Sequence, residues 1–490
     1  MKIKALIFIV ICFSNPVLNG QAPAGDPLPD KDIAGMQVRN FFAENELKKG
    51  RLLLDSLLSE DSLNIEANYL RAELYILYGD TAYYENMHRL NLAEAERELI
   101  ILKIKEKMLC GDPSAYDQAK KALEKYPSDD ELQFVIWLYK LDRGGFTEMA
   151  PLASSLSERI IFKHLPYDAL FDYAMDIDPQ LALAYLDSVE AIAGNVFHSR
   201  NRPLLELLSR MPQKTVGRGE YELEYADCGP GMGFFMTDRA GNRIKVELDT
   251  GTSGGLFTIH SDSTGKKLYG KDTLTIPQGI RYNYMEGPAD MHYKISSFND
   301  PPMDNFLTGY FDGSLSKADG CFSPFIFSPY AVSIDPVRRT AFLRDEDALE
   351  RYLEGLDTYE AVEYHIRGGW IYIPCRVNGK QLLMMIETGS RYVTLNAIAI
   401  KNTGVLSYDG TIKWRGEDYP VKKIDFTLEI GNISHEVKGG MITSFVMGNT
   451  YYGLASAGDI GPDFLRNYAF TIDPFKGRFI IEERQKEREK

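Results

Sequence analysis

The chain has 490 residues and a formal net charge of −15, with 44% apolar and 26% charged residues. That length supports about two to four domains of ordinary size, and the composition excludes collagen-like, wholly disordered and multi-span membrane classes. An acidic chain with no Lys/Arg block is a poor match for nucleic acid or anionic lipid, and five cysteines without a Cys-x-x-Cys pair or a His-rich cluster suggest neither a disulfide scaffold nor a zinc site.

Lys2 and Lys4 precede an apolar run, Ala5 to Phe13, and a polar stretch follows. The run falls short of the roughly 20 residues that span a bilayer. Residues 1–20 therefore read as a secretory signal peptide, with cleavage expected between Gly20 and Gln21. Cys12 follows Ile11 rather than a small residue, so a lipoprotein anchor is not expected. The mature chain is expected in a periplasmic or extracellular space, with no transmembrane segment. There Cys110, Cys228, Cys321 and Cys375 either pair or stay free, and the sequence leaves both open.

Residues 21–30 read as a linker, and the texture from 31 to 211 is helical. Apolar residues recur at three- and four-residue steps, as in Ile65, Tyr69, Ala72 and Ile76. Breakers such as Ser62-Leu63-Asn64, Tyr126-Pro127-Ser128 and Asp178-Pro179 separate the stretches and offer N-caps. Leu58 to Gly79 resembles Leu123 to Gly144, 65 residues on. That distance is close to two units of about 33 residues, so this region is similar to tetratricopeptide arrays of helical hairpins. It carries no catalytic constellation and reads as a scaffold or a docking surface for a protein partner.

After residue 215 glycine becomes frequent and strands alternate with turns such as Gly241-Asn242 and Asn378-Gly379. One offset, 138 residues, relates Asp249 to Glu387, Thr250 to Thr388, Gly251 to Gly389, Gly241 to Gly379 and Asp335-Pro336 to Asp473-Pro474. A register held over so long a span predicts two homologous β lobes, 216–345 and 358–485. Each carries an apolar strand, Val246 to Leu248 or Leu382 to Ile386, that runs into an acid-Thr-Gly turn. A carboxylate at the end of a buried strand is costly unless something uses it. Two carboxylates about 3 Å apart share one proton; the ionised member can serve as base on a water and the protonated one as acid on a peptide carbonyl.

The segments VELDTGTSG, MIETGSRY and DIGPDFLRNYAFTIDPFKGRFII resemble retropepsin-type aspartic peptidases of bacterial exported proteins. The resemblance covers residues 216 to 485. It implies a multidomain α plus all-β chain: a helical-hairpin array, then two acid-protease lobes in one chain in place of a homodimer. It implies catalysis by Asp249 and Glu387, bracing by Thr250 and Thr388 beside Gly251 and Gly389, and hydroxyl support from Thr252 and Ser390. The late hydrophobic-Gly element is matched by Ile460-Gly461 and by Asp319-Gly320. No cofactor or metal is implied, and the substrate is an extended peptide or protein. Glu387 stands where the family has Asp and sets its carboxylate about 1.5 Å further out; Arg391 follows where a small residue is usual. The alternative is a catalytically inactive protease fold that binds a peptide or protein.

Overall fold

The computed structural model of the chain describes residues 37–38 and 47–482, apart from 79–81, 110–111, 143–144, 161–162, 175–177, 194–201, 211–214, 252–254, 260–273, 281–288, 313–317, 368–369, 390–391, 397–407, 415–416 and 444–455. The expected signal peptide 1–20 and linker 21–30, together with Cys110, Thr252, Ser390 and Arg391, lie outside the described residues.

The N-terminal region is helical: α1 (Leu47–Glu60), α2 (Ile65–Tyr78), α3 (Ala82–Leu92), α4 (Glu96–Leu109), α5 (Ser114–Lys125), α6 (Asp130–Asp142), α7 (Phe146–Met149), α8 (Ala153–Ser157), α9 (Leu165–Ala174), α10 (Pro179–Ala193) and α11 (Arg202–Arg210). Residues in the breakers, or one position past them, cap these helices. Asn64 Oδ1 accepts from Ala67 N at 2.9 Å, Asp129 Oδ1 from Leu132 N at 2.9 Å, and Asp178 Oδ1 from Leu181 N at 3.0 Å. Helix α2 packs on α3 and on α4, and α4 reaches α6, around buried Leu70, Leu102, Leu132 and Val135. Lys105 ties these helices together, donating to Glu131 Oε1 at 2.7 Å and to Glu73 Oε1 at 2.5 Å. Among the described residues, no helix is long and apolar enough to cross a membrane.

Two mixed β sheets follow. The first half of this region holds β1 (Thr215–Val216), β2 (Glu220–Cys228), β3 (Gly231–Asp238), β4 (Arg243–Leu248), β5 (Gly255–Ile259), β6 (Leu274–Ile280), β7 (Ala289–Asp300), β8 (Met303–Asp312), β9 (Gly320–Phe322), β10 (Ala331–Asp335) and β11 (Thr340–Arg344). After α12 (Glu346–Glu354), the second half holds β12 (Tyr359–Glu363), β13 (His365–Arg367), β14 (Trp370–Val377), β15 (Lys380–Ile386), β16 (Thr394–Leu395), β17 (Gly410–Trp414), β18 (Glu417–Ile430), β19 (Ile433–Thr443), β20 (Gly458–Ile460), α13 (Pro462–Leu465), β21 (Phe470–Asp473) and β22 (Arg478–Glu482).

The halves join through the run β12-β22-β21-β10-β11-β2. At its centre β10 and β21 pair antiparallel, with Ser333 opposite Thr471, and their hydroxyls are 2.7 Å apart. These two residues are themselves separated by 138 positions. Asp335 and Asp473 close matching turns: Asp335 Oδ1 accepts from Val337 N at 3.0 Å, and Asp473 Oδ1 from Phe475 N at 2.9 Å. Strand β15 is buried on both faces, which accounts for its unbroken apolar run. Leu382, Met384 and Ile386 face the main core, while Leu383 and Met385 pack with Tyr372. Strands β17 and β18 pair antiparallel, with Gly410 opposite Val421 and Trp414 opposite Glu417. Strand β13 touches α6 and α9, so the helical region contacts the second β half.

Candidate functional site

Strands β4 and β15 deliver the two acids. Each runs parallel to a short strand, β9 for β4 and β20 for β15. The acid that follows each strand is fixed through its own N–H. Asp249 N donates to Phe322 O at 2.9 Å, and Glu387 N donates to Ile460 O at 3.2 Å. These bonds make Phe322-Ser323 the counterpart of Ile460-Gly461. The expected match at Asp319-Gly320 is therefore displaced: Gly320 pairs with Val246, further back along the strand. A large apolar side chain has to sit beneath each turn, and in the first half Phe322 fills that place; it is fully buried.

The two turns grip one another. Thr250 N donates to Thr388 Oγ1 at 3.0 Å, and Thr388 N donates to Thr250 Oγ1 at 3.1 Å. Each hydroxyl then donates across to a carbonyl of the opposite strand, Thr250 to Ile386 O at 2.5 Å and Thr388 to Leu248 O at 2.7 Å. Both threonines are fully buried, so all four bonds are shielded from water and a missing partner would be costly.

Beyond the threonines, the glycine of each turn meets the acid of the other. A Cβ on Gly389 would sit 2.8 Å from Asp249 Cγ, and one on Gly251 would strike Glu387 Oε2 and lie 3.2 Å from Asp249 Oδ1. Only glycine leaves that room. The same glycines bond their own acid: Gly251 N donates to Asp249 Oδ1 at 2.8 Å, and Gly389 N to Glu387 Oε1 at 3.0 Å. Asp249 and Glu387 are 6% and 1% exposed. Asp249, Thr250, Gly251, Glu387, Thr388 and Gly389 thus come together at one place.

Burial raises the pKa of both acids, because low polarity disfavours the charged form. For Glu387 the neighbouring charges of Asp249 and then Asp459 push further in the same direction. For Asp249 the Gly251 N–H and the Cys321 thiol act against burial. Glu387 Oε2 meets no hydrogen-bond donor among the described residues.

Sequence reasoning missed three neighbours. Cys321 Sγ donates to Asp249 Oδ2 at 3.2 Å. Asp459, buried on β20, accepts from Thr394 Oγ1 at 2.7 Å. Trp370 Nε1 donates to Gly251 O at 3.2 Å, tying the second half to the first turn. The 138-residue offset relates Cys321 to Asp459 and is the signal in the sequence that points to this pair; by composition alone Cys321 is only a thiol that pairs or stays free. Cys228, Cys321 and Cys375 are all buried free thiols. Among the described residues, no group of three His, Cys, Asp or Glu side chains gathers as metal ligands would.

No family model matches the sequence, and no curated protein sequence matches it. Among solved structures, the crystal structure of basic 7S globulin from soybean aligns with 55% of this chain and 95% of its own, at 10% identity and a TM-score of 0.32. A likeness that low carries no weight for the fold or for the site. What the geometry offers chemically is a buried carboxyl pair with one oxygen unpaired, backbone donors on two others and a thiol on the fourth.

Proposed function

We propose that the chain is an exported aspartic endopeptidase with two homologous retropepsin-like lobes, 216–345 and 358–485, preceded by a tetratricopeptide-like helical domain at 31–211 that docks a protein partner. One observation carries this reading: the reciprocal Thr250–Thr388 bonds, which bring an acid from each half to one point. A structural turn has no need of a second, matching turn against its buried carboxylate. Thr252 and Ser390 would add hydroxyl support.

In the proposed reaction the ionised acid takes a proton from a bound water as the water oxygen attacks the peptide carbonyl carbon. The protonated acid gives its proton to the carbonyl oxygen, forming a tetrahedral diol. Collapse of the diol breaks the C–N bond. The nitrogen leaves with a proton from the dyad, yielding a free amine and a carboxylic acid. The extended substrate would be held largely through its backbone.

The 1% exposure of Glu387 favours a second reading, a protease fold that binds peptides without cutting them. A peptide library incubated with purified protein at roughly pH 4 to 7 separates the two. Cleavage abolished by Asp249→Asn and by Glu387→Gln supports the hydrolase. Peptide binding without cleavage at any pH supports the binder.

A further inference from the structure

The two acids stand in unlike surroundings at matching positions. In the first half, the residue that precedes Phe322 is Cys321, and its thiol donates to Asp249 Oδ2 at 3.2 Å. In the second half, the residue that precedes Ile460 is Asp459, whose backbone pairs with Met385 of β15. A donor thus faces one acid, while a third carboxyl stands beside the other. Asp459 is buried, its Oδ2 is held by Thr394 at 2.7 Å, and its Oδ1 has no hydrogen-bond partner among the described residues.

We propose that Cys321 and Asp459 are positioning residues that polarise the dyad: Cys321 holds Asp249 as the carboxylate, and Asp459 keeps the single shared proton on Glu387 Oε2. Asp249 then accepts from both Gly251 N–H and Cys321 S–H, as a carboxylate can. Glu387 accepts from Gly389 N–H on Oε1 alone. Its Oε2 meets no donor, which is costly for an ionised oxygen, whereas a protonated Glu387 can donate to Asp249, and the hydrogen bond between the two side chains raises the pKa of Glu387 and lowers that of Asp249.

The remaining charges agree in sign. Glu247, on β4 beside Cys321, and Asp249 itself both hold the thiol proton on, and burial pushes that thiol well above its usual range. Cys321 therefore remains a donor at any pH at which the protein works. Asp459 titrates at about 6, raised by burial. Above that pH its charge adds to burial and to Asp249 in holding the proton on Glu387. The inference rests on the proposed dyad, because it assigns the base role to Asp249 and the acid role to Glu387.

The test reads protonation directly and does not depend on turnover. The protein is labelled with carbon-13 at the Glu and Asp side-chain carboxyls and titrated by NMR, with Glu387→Gln and Asp249→Asn used to assign the two signals. In the parent, the Glu387 signal should titrate above that of Asp249. In Asp459→Asn the Glu387 titration should move to lower pH while Asp249 moves less. In Cys321→Ala the Asp249 titration should move to higher pH, and Cys321→Ser, which keeps a donor, should restore it in part. The infrared S–H band of Cys321, absent in Cys321→Ser, should shift in Asp249→Asn. A Glu387 carboxyl that titrates with or below Asp249, or one that ignores Asp459→Asn in a folded variant, overturns the inference. Absence of peptide cleavage with these shifts intact would remove the hydrolase reading and leave the polarity standing.

Discussion

The two β halves keep register beside the acids and at their junction and lose it in their outer hairpins. The 138-residue offset carries β9 onto β20 and β11 onto β22 end to end, and it carries Ser333 to the Thr471 that faces it. The hairpin β7–β8 breaks the rule. The same offset would carry Ala289 to Thr427, deep inside β18 rather than at its start. A one-residue slip in a strand turns every side chain to the other face, so a strand bonded across the junction cannot drift. Strands β9 and β20 are held by the acid-bearing strands β4 and β15, and β11 and β22 by the junction strands β10 and β21, whereas the outer hairpins meet neither constraint. Inside the fixed frame the side chains still diverge at the chemistry: Asp249 against Glu387, Cys321 against Asp459, Ser323 against Gly461.

Breaking that likeness at the acids should have the largest effect. Asp249→Asn and Glu387→Gln should each reduce peptide hydrolysis by about 10²–10⁴-fold, measured as kcat/KM on a cleaved library peptide. Glu387→Asp makes the halves formally alike. Because Gly389 N and the space beside Gly251 are set for the longer side chain, withdrawing the carboxyl by about 1.5 Å should cost about a hundredfold in rate. A gain in rate would mean that the native pair is an impaired dyad. Since burial raises both acids, activity should appear above the ordinary carboxylate range, rising as Asp249 ionises and falling as Glu387 loses its proton.

The grip is the symmetrical part, and it should fail symmetrically. Thr250→Val removes a donor from Ile386 O and an acceptor from Thr388 N; Thr388→Val does the same to Leu248 O and Thr250 N. Each change leaves two buried backbone groups unpaired, a loss of about 2–5 kcal/mol. Denaturant titration of the two variants should give nearly equal losses. A large loss in one and none in the other would mean that the turns are not equivalent supports.

Much of this frame was legible in the letters because turns need particular residues. Gly241 and Gly379 both adopt positive φ, 81° and 76°, and Asp335 and Asp473 both close turns with a side-chain oxygen. The helix caps Asn64 and Asp178 were visible for the same reason, while the cap of α6 falls on Asp129, one residue past the breaker Tyr126-Pro127-Ser128. The site was legible only as far as its turns. Asp459 opens the late segment and Cys321 follows Gly320, but both lie on short strands, and what they do is decided by which strand runs beside them. The late element of the first half was misplaced for a related reason. Phe322-Ser323 lacks the glycine of Ile460-Gly461 and Gly320 lies close by, whereas the backbone bond from Asp249 picks Phe322.

Asp459 offers a pH-dependent way to separate the halves. Its folded pKa, about 6, lies above the ordinary value of 3.8. A protonated Asp459 therefore favours the folded state. That contribution is complete below pH 3.8 and is lost as the pH rises to about 6. Above it, the folded chain carries a buried carboxylate with one oxygen unpaired. Asp459→Asn removes that penalty, so the variant should be more stable than the parent at about pH 8, by up to about 3 kcal/mol, and no more stable at about pH 3. Its counterpart Cys321 stays neutral over this range, since burial and Asp249 hold its proton on. Cys321→Ser should accordingly show no such step in stability with pH. A step of equal size in both variants would end the claimed asymmetry.

The smallest difference lies at the helical turns beneath the acids. Ser323 caps the turn Pro324–Phe327, and its side chain accepts from Phe325 N at 3.3 Å. Gly461 caps α13 with no side-chain bond, yet its backbone, at φ −91° and ψ −179°, is already extended as a serine cap requires. Both turns place Pro at the first helical position, so they differ mainly by one hydroxyl. Ser323→Gly should cost a few tenths of a kcal/mol, about the usual difference between these caps, and Gly461→Ser should return about as much. The exchange of both residues should leave the denaturation midpoint nearly unchanged, as two separate caps add. If Gly461→Ser instead destabilises strongly, the space under Glu387 is too tight for a hydroxyl. The second half would then require glycine there for packing against its longer acid, and the two turns would differ for the same reason as the acids above them.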